Sequence, residues 1–221
     1  TSLQPYVDVV MGRVPVSTPN GVSNYVDKVI AYESRSAGDG YLQNVLFLGE
    51  KLDSRVWGGD VKDTNEQFVP EAYDITKLYE RDSGLLRFNP VSDLVEEAHI
   101  INNMGHGDYD FLATLRSSNV ANIENAAPYI WYSQGCNVGG FDRDPCVSNA
   151  MIADEANSVA NIVNSRFGWY ISGPNYPIGP SNLFDIAFMD LVFESDSLLG
   201  DIHDQAKLTQ VENLSNQYIS W

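Results

Sequence analysis

Short apolar runs alternate along this chain with stretches whose apolar residues recur every three or four positions. The clearest run is NVLFLG at residues 44–49, which ends in glycine. Continuous apolar runs are typical of strands buried on both faces, and spacing of three or four is typical of helices. Because strands that alternate with helices form parallel sheets covered by helices, the pattern predicts an α/β fold with a mainly parallel sheet.

The same patterns assign individual elements. Residues 22–32 have helical spacing, which AGDG at residues 37–40 interrupts, and the polar region 50–89, with its scattered glycine and proline, is expected to be irregular. Ser181 is expected to cap the helix that follows it, after a loop over residues 173–180. The other predictions are a strand and its exit at residues 7–10 and 13–16, strands at 44–49 and 158–165 and directly before His106 and Cys136, and helices at 91–97, 182–191 and 208–218.

The charge balance argues against two classes of partner. Thirteen Lys and Arg face thirty Asp and Glu, and the resulting net charge of −17 repels nucleic acid and anionic membranes. No run approaches the roughly 18 apolar residues that a membrane span requires. The chain begins at Thr1 with neither an initiator methionine nor a signal peptide, which suggests a processed or excised segment.

Two segments place a reactive side chain directly after an apolar run. EAHIINNMGHG leads to the glycine-flanked His106, and PYIWYSQGC leads to Cys136, 30 residues further on. In a parallel α/β sheet the loops after the strands collect at one edge, where such sheets bind ligands. We therefore expect the imidazole and the thiol to meet at that edge.

A thiol and an imidazole at one site are the minimum for acyl transfer. A free thiol has a pKa of about 8.5, and a nearby imidazolium stabilises the nucleophilic thiolate and can later protonate a leaving amine. The backbone amides of Gly107 and Cys136 are the candidates to donate hydrogen bonds to a developing oxyanion.

Other readings of the same residues stay open at this point. A lone cysteine is commonly a small buried apolar residue, and a glycine-flanked histidine is often a turn residue. Cys136 and Cys146 are close enough in sequence to form a disulfide, which would end the peptidase hypothesis. The histidines show no zinc-ligand spacing, which argues against a metallopeptidase.

The order of several motifs resembles a known group of peptidases. NNMGHG, followed by SQGCN, resembles the histidine-glycine and cysteine motifs of the caspase-like cysteine peptidases. The segments VDVVMGRVPVSTPNGVSNYVDKVIAYE, IVNSRFGWY and GPSNLFDIAFMDLVFE narrow the resemblance to the gingipain-like peptidase family. The similarity covers the chain from about residue 7 to about residue 204.

The resemblance implies that residues 1–221 are a gingipain-like catalytic domain with a caspase-like fold, a three-layer sandwich with a mainly parallel sheet between helices. Cys136 would be the nucleophile, His106 its partner, and Gly107 part of the oxyanion hole. The implied function is that of a secreted or cell-surface endopeptidase that hydrolyses protein or peptide substrates through an acyl-enzyme. No cofactor would be needed for catalysis.

Two features depart from the family pattern. Relatives carry another α/β portion before the GRVPV segment, and we expect it to be absent here or to be a separate, associated polypeptide left by maturation. An acidic residue is also expected near the position that Asn149 occupies.

The resemblance also suggests specificity residues and a metal. Trp169 resembles an aromatic wall of the S1 pocket, with packing at a strand end as the alternative. A basic P1 side chain would need a carboxylate at the pocket base, and Asp60 is the candidate. GDYD at residues 107–110 and FDRDPC at residues 141–146 cluster the oxygen ligands that calcium prefers, so structural calcium is a further expectation, although neither has EF-hand spacing.

An alternative function keeps the fold and changes the chemistry. The domain could be an inactive or transpeptidase-like module of a cell surface or secretion system. Labelling of Cys136 that depends on His106 would favour the peptidase.

Overall fold

The computed structural model describes residues 9–125, 127–172, 179–194 and 196–211. The strands are β1 (Asn44–Gly49), β2 (Asp74–Tyr79), β3 (Ile100–Met104), β4 (Gly107–Asp108), β5 (Phe111–Leu112), β6 (Ile130–Ser133) and β7 (Ala160–Val163). The helices are α1 (Pro19–Glu33), α2 (Gly58–Asn65), α3 (Glu80–Ser83), α4 (Phe88–Val95), α5 (Val147–Ala153), α6 (Pro180–Glu194) and α7 (Leu199–Val211). Short 3-10 helices lie at Gly40–Gln43, Glu66–Phe68 and Val120–Asn122.

Five strands form one parallel sheet in the order β2-β1-β3-β6-β7. The strands β4 and β5 form a small antiparallel hairpin. Because the five strands are parallel, their C-terminal ends lie along one edge, and the loops that follow them gather there. The prediction of a mainly parallel α/β sheet is confirmed.

Both faces of the sheet are covered, as the apolar run of β1 predicts. Leu46 and Leu48 pack with residues of α4 and α5, whereas Val45 and Phe47 pack with residues of α6 and α7. Successive side chains of a strand point to opposite faces, so one continuous apolar strand supplies both cores. The result is the three-layer arrangement expected from the resemblance, with the sheet in the middle.

A buried ion pair joins α2 to α6. Lys62 and Asp185 are both fully buried, and their side chains are in contact. The amides of Asn65 and Asn102 donate to the same carboxylate at 2.8 and 2.7 Å. These donors replace the water that the carboxylate has lost, which a buried ion pair requires.

The helix α1 is capped and anchored by its own polar residues. Thr18 accepts a hydrogen bond from the amide of Gly21 at 3.1 Å, and Pro19 occupies the first helical position, where a missing N–H costs nothing. Lys28 is buried and donates to the carbonyl oxygens of Met151 and Ile152, at 2.9 and 3.0 Å. The last turn of α5 is thereby tied to α1.

The prediction that residues 50–89 are irregular is wrong. This region contains α2, β2, α3 and the first residues of α4. The strand β2 lies at the edge of the sheet and is largely exposed, so it carries polar residues. The buried residues of α2 include two polar ones, Lys62 and Asn65, which lie against Asp185.

Several boundaries also differ from the predictions. Residues 9–16 form no strand, and residues 7 and 8 lie outside the described residues. Ser181 does not cap α6, which begins at Pro180; its hydroxyl instead accepts from the amide of Trp169 at 2.8 Å. The last helix begins at Leu199 rather than at 208, and its predicted part beyond 211 lies outside the described residues, as does most of the 173–180 loop.

Candidate active site

His106 and Cys136 occupy equivalent positions after two neighbouring strands, β3 and β6. Asn103 pairs with Ser133, so the two strands are offset by 30 residues. The amide of Gln134 donates to the carbonyl oxygen of Asn103 at 3.4 Å, which extends the pairing beyond β6. His106 and Cys136 are separated by the same 30 residues, so each is the third residue after this pair.

The backbones of the two loops are in contact through glycines. A Cβ built on Gly107 would lie 2.9 Å from the carbonyl oxygen of Cys136 and 2.6 Å from Cγ2 of Val138. A Cβ on Gly135 would lie 3.3 Å from Cα of Gly107. Glycine at residue 107 is therefore required for the histidine loop to approach the cysteine loop this closely.

The imidazole of His106 is oriented by a backbone carbonyl. Its Nε2 lies 3.1 Å from the carbonyl oxygen of Leu52, in the loop after β1, and a carbonyl oxygen can only accept. Nε2 therefore carries the proton in this arrangement, and the neutral ring keeps its lone pair on Nδ1. The side chain of His106 is exposed at the edge of the sheet, where a substrate can reach it.

Cys136 is half-buried, and its Sγ lies 3.8 Å from the carbonyl oxygen of Gly168. The next residue, Asn137, has a φ of 58°, a left-handed conformation that asparagine tolerates better than most residues. Its amide donates to the carbonyl oxygen of Arg166 at 2.7 Å. The chain thus turns sharply after Cys136.

Cys146 is a free thiol, as is Cys136, so the two residues form no disulfide and that alternative is excluded. The side chain of Cys146 is buried, and its Sγ lies 3.4 Å from the carbonyl oxygen of Val138. Burial raises the pKa of the Cys146 thiol. Of the two cysteines, Cys136 is the more accessible.

Glu50 is a site residue that the sequence did not reveal. It follows β1 directly, and a Cβ on Gly105 would overlap its carboxylate, so this carboxylate lies against the backbone just before His106. Burial, with a smaller contribution from the charge of Glu80, raises the pKa of Glu50 to about 8, although the His106 amide and the Asn103 side chain favour its ionised form. Its position after a buried strand was the only available signal.

Trp169 stands beside the thiol through its neighbour Gly168. It is 48% exposed, and its ring lies against that of Phe167, six residues or fewer beyond the end of β7. Its backbone amide and carbonyl are both bonded to Ser181, at 2.8 and 2.9 Å, which holds this segment against the start of α6. An exposed ring on a fixed backbone can form the wall of a cleft.

Two carboxylates lie in or near the loop after β1. Asp60, in the first turn of α2, forms an ion pair with Arg81, which follows the edge strand β2. Asp53 accepts from the hydroxyl of Tyr170 at 3.3 Å and from the amide of Val56 at 3.0 Å. Hydrogen bonds, the largest from the Ser172 hydroxyl, lower the pKa of Asp53. The role predicted for Asp60 in the S1 pocket stays a prediction.

No group of three or more His, Cys, Asp or Glu side chains that could hold a metal ion occurs in the described part of the chain. In the two acidic segments, Asp110 accepts from the amide of Ser117 at 2.8 Å, and Asp142 is paired with Arg166 at 3.2 Å. Structural calcium therefore stays an expectation without an assigned ligand set.

The family model for peptidase family C25 matches residues 2–221. The chain belongs to this family. The assignment confirms the predicted gingipain-like peptidase and, with the fold, places the domain among the cysteine-type peptidases. A comparison with curated proteins found no match.

Solved structures support the same fold for this C25 domain. The crystal structure of the Arg-specific cysteine proteinase gingipain R matches with a TM-score of 0.83 and 16% identity, over 99% of this chain and 53% of that one. The complex of the Porphyromonas gingivalis RgpB pro- and mature domains matches with a TM-score of 0.76 and 15% identity, over 96% and 53%. A structure described as a protease matches with a TM-score of 0.71 and 19% identity, over 93% and 50%.

The C25 domain thus spans about half the length of the chains that it matches. The likeness confirms the predicted caspase-like sandwich. Among the described residues, no helix is both long and apolar enough to cross a membrane.

Proposed function

We propose that this C25 domain is the catalytic part of a secreted or cell-surface cysteine endopeptidase, with Cys136 as nucleophile and His106 as its general acid and base. The observation that carries the proposal is the register of β3 and β6, in which each of the two residues is the third residue after the pair Asn103 and Ser133. The contact between Gly107 and the backbone of Cys136 supports it.

The proposed mechanism follows from the orientation of the imidazole. With Nε2 donating to Leu52, Nδ1 of His106 is free to take the thiol proton as Sγ of Cys136 attacks the scissile carbonyl carbon. The amides of Gly107 and Cys136 would donate to the oxyanion. The C–N bond then breaks, the amine takes the proton from the imidazolium, and a water molecule, activated by the imidazole, hydrolyses the thioester and restores the thiol.

Glu50 has a positioning role in this proposal. Its buried carboxyl lies against Gly105, and the amide of His106 favours its ionised form. It would hold the chain at the turn from β3 into His106 without touching the substrate.

A chain of contacts surrounds the proposed dyad. From Cys136 it passes to Gly168 and its neighbour Trp169, then through Tyr170 to Asp53, and back to His106 through Leu52. We propose that these residues border the substrate cleft, with Trp169 as an aromatic wall and a carboxylate at the far end. A protein or peptide chain with a long side chain at P1 would fit such a cleft.

Gingipain R is described as Arg-specific, and we propose a basic P1 preference for this domain as well. The aliphatic stem of the P1 side chain would stack on Trp169, and a carboxylate would meet its charge. Asp60 is the candidate from the sequence, but Arg81 already neutralises it. Asp53 is the second candidate, because its polar contacts are hydroxyl and amide groups.

Asp53→Asn and Asp60→Asn would assign the role: the responsible carboxylate is the one whose loss raises KM for an Arg substrate and leaves KM for a norleucine substrate unaffected.

A peptide library is the first test, because it reports activity and P1 preference together. We expect cleavage by the unmodified protein, none by Cys136→Ala or His106→Ala, and unchanged cleavage by the matched control Cys146→Ala. Products joined to an added amine would identify a transpeptidase. Absence of turnover, together with iodoacetamide labelling of Cys136 that is unaffected by His106→Ala, would favour the inactive module.

The proposal also includes a structural calcium ion and association with a separate N-terminal α/β portion. The complex of the RgpB pro- and mature domains is one precedent for association with a separate segment. A fall in the thermal unfolding temperature with a calcium chelator, reversed by added calcium, would support a structural ion.

A further inference from the structure

Two buried polar residues lie directly beneath the catalytic loops. Asn103, in β3, and Ser133, at the end of β6, are register partners and are 0% and 1% exposed. Each lies three residues before one member of the proposed dyad, His106 or Cys136. Most other positions of these two strands are apolar, so two polar side chains facing one another here require an explanation.

Their hydrogen bonds lead to the cysteine loop. The hydroxyl of Ser133 donates to Oδ1 of Asn103 at 2.8 Å and accepts from the amide of Gly135 at 3.0 Å. A hydroxyl has one hydrogen, and Asn103 takes it, so the oxygen is left to accept from Gly135.

The network runs in the order Asn103, Ser133, Gly135, from β3 to the residue before the proposed nucleophile.

The anchored amide belongs to the residue where the backbone has the most freedom. Gly135 has no Cβ, and its peptide with Cys136 carries one of the two amides that would donate to the oxyanion. A small rotation of this peptide would turn the Cys136 amide away from its target.

We propose that Ser133 and Asn103 are positioning residues: their hydrogen bond to the Gly135 N–H holds the Gln134–Gly135 peptide, which is the support for the adjoining Gly135–Cys136 peptide whose N–H would bind the oxyanion. The inference rests on the proposed peptidase function and deepens it. Neither side chain touches the substrate; both act through the backbone of Gly135.

Ser133→Ala tests the proposal with two reactions of the same thiol. Peptide hydrolysis develops an oxyanion, whereas alkylation by iodoacetamide does not. We expect kcat for a peptide substrate to fall about 10- to 100-fold, less than the loss of a whole oxyanion donor, with KM within about threefold. The rate of Cys136 alkylation between pH 5 and 9 should stay unchanged.

Ser148→Ala is the matched control. Ser148 is also buried and accepts from a side-chain amide, that of Asn161, at 3.0 Å, but it lies in α5. We expect its kcat to match the unmodified protein. If Ser133→Ala behaves like this control, or if its alkylation rate falls in parallel with kcat, the inference is wrong.

Hydrogen exchange on the unmodified protein tests the anchor if Ser133→Ala fails to fold. The Gly135 amide should exchange at least about 10³-fold more slowly than in an unstructured peptide. Exchange near the unstructured rate would overturn the inference. Peptide turnover by the unmodified protein separates the two hypotheses: without turnover the proposed function fails, whereas turnover that survives Ser133→Ala unchanged refutes the positioning role alone.

Discussion

Replacing Glu50 with glutamine should stabilise the protein, and the gain should grow with pH. Glu50 is 6% exposed, and the pKa of its carboxyl is raised from 4.5 to about 8, chiefly by burial. Between these values the folded state holds a proton that the unfolded state has released. The contribution of this carboxyl to the free energy of unfolding is therefore fully present below pH 4.5 and is lost as pH rises through 8.

The magnitude follows from the same two values. The difference of about 3.5, at about 1.36 kcal/mol for each pKa unit, gives a ceiling of about 5 kcal/mol for the cost of the buried charge above pH 8. Glutamine has nearly the same shape and no charge, so the cost disappears. The gain in the free energy of unfolding should be near zero at pH 4.5 and should rise by up to about 1.4 kcal/mol per pH unit, to its full value by about pH 9.

Urea unfolding from pH 4.5 to 9, followed by tryptophan fluorescence, measures this difference. Groups that do not interact with Glu50 titrate alike in both proteins and cancel, and the interaction with Glu80 is part of the measured difference. Glu97→Gln is the control, because Glu97 is exposed, and its difference should stay within about 0.5 kcal/mol at every pH. A Glu50→Gln difference that is constant with pH, or that falls as pH rises, would refute the conclusion that this carboxyl is buried and destabilised when charged.

Three further outcomes are expected. Lys62→Met should lower the free energy of unfolding by about 3–5 kcal/mol, because it leaves the charge of Asp185 buried without its partner. Adding Asp185→Leu should recover at least half of the lost free energy, and urea unfolding that shows no recovery would argue against the ion pair. Gly107→Ala should lower kcat/KM at least about 100-fold, since its Cβ would force the two catalytic loops apart, and near-normal kinetics would show that the loops are not in contact. Intact-mass measurement should find one iodoacetamide label on the folded protein, at Cys136, and a second, at Cys146, only after denaturation; two labels on the folded protein would contradict the burial of Cys146.

The predicted elements succeeded where local pattern and tertiary environment agree. β1 has the predicted bounds, Asn44–Gly49, because a strand buried on both faces must be apolar throughout. α2 was missed because two of its buried residues, Lys62 and Asn65, are polar, and their shared partner is Asp185, about 120 positions away. No local window of sequence contains that partner.

The candidate site likewise contains residues that the sequence revealed and one that it did not. The sequence placed His106 and Cys136 after apolar strands, and glycines beside them predicted loops that approach closely. It did not reveal Glu50, whose carboxylate is one of thirty acidic groups in this chain and is distinguished only by its burial against Gly105.

The sequence alone determined the class of fold, the family, and the two side chains capable of the chemistry, because strand burial and a glycine-flanked histidine and cysteine are local patterns. The tertiary structure decided the 30-residue register of β3 and β6, the carbonyl of Leu52 that orients the imidazole, and the ion pair between Asp60 and Arg81. Each of these three features depends on which distant segments pack together and on the water that their packing removes. No short stretch of the chain encodes that packing.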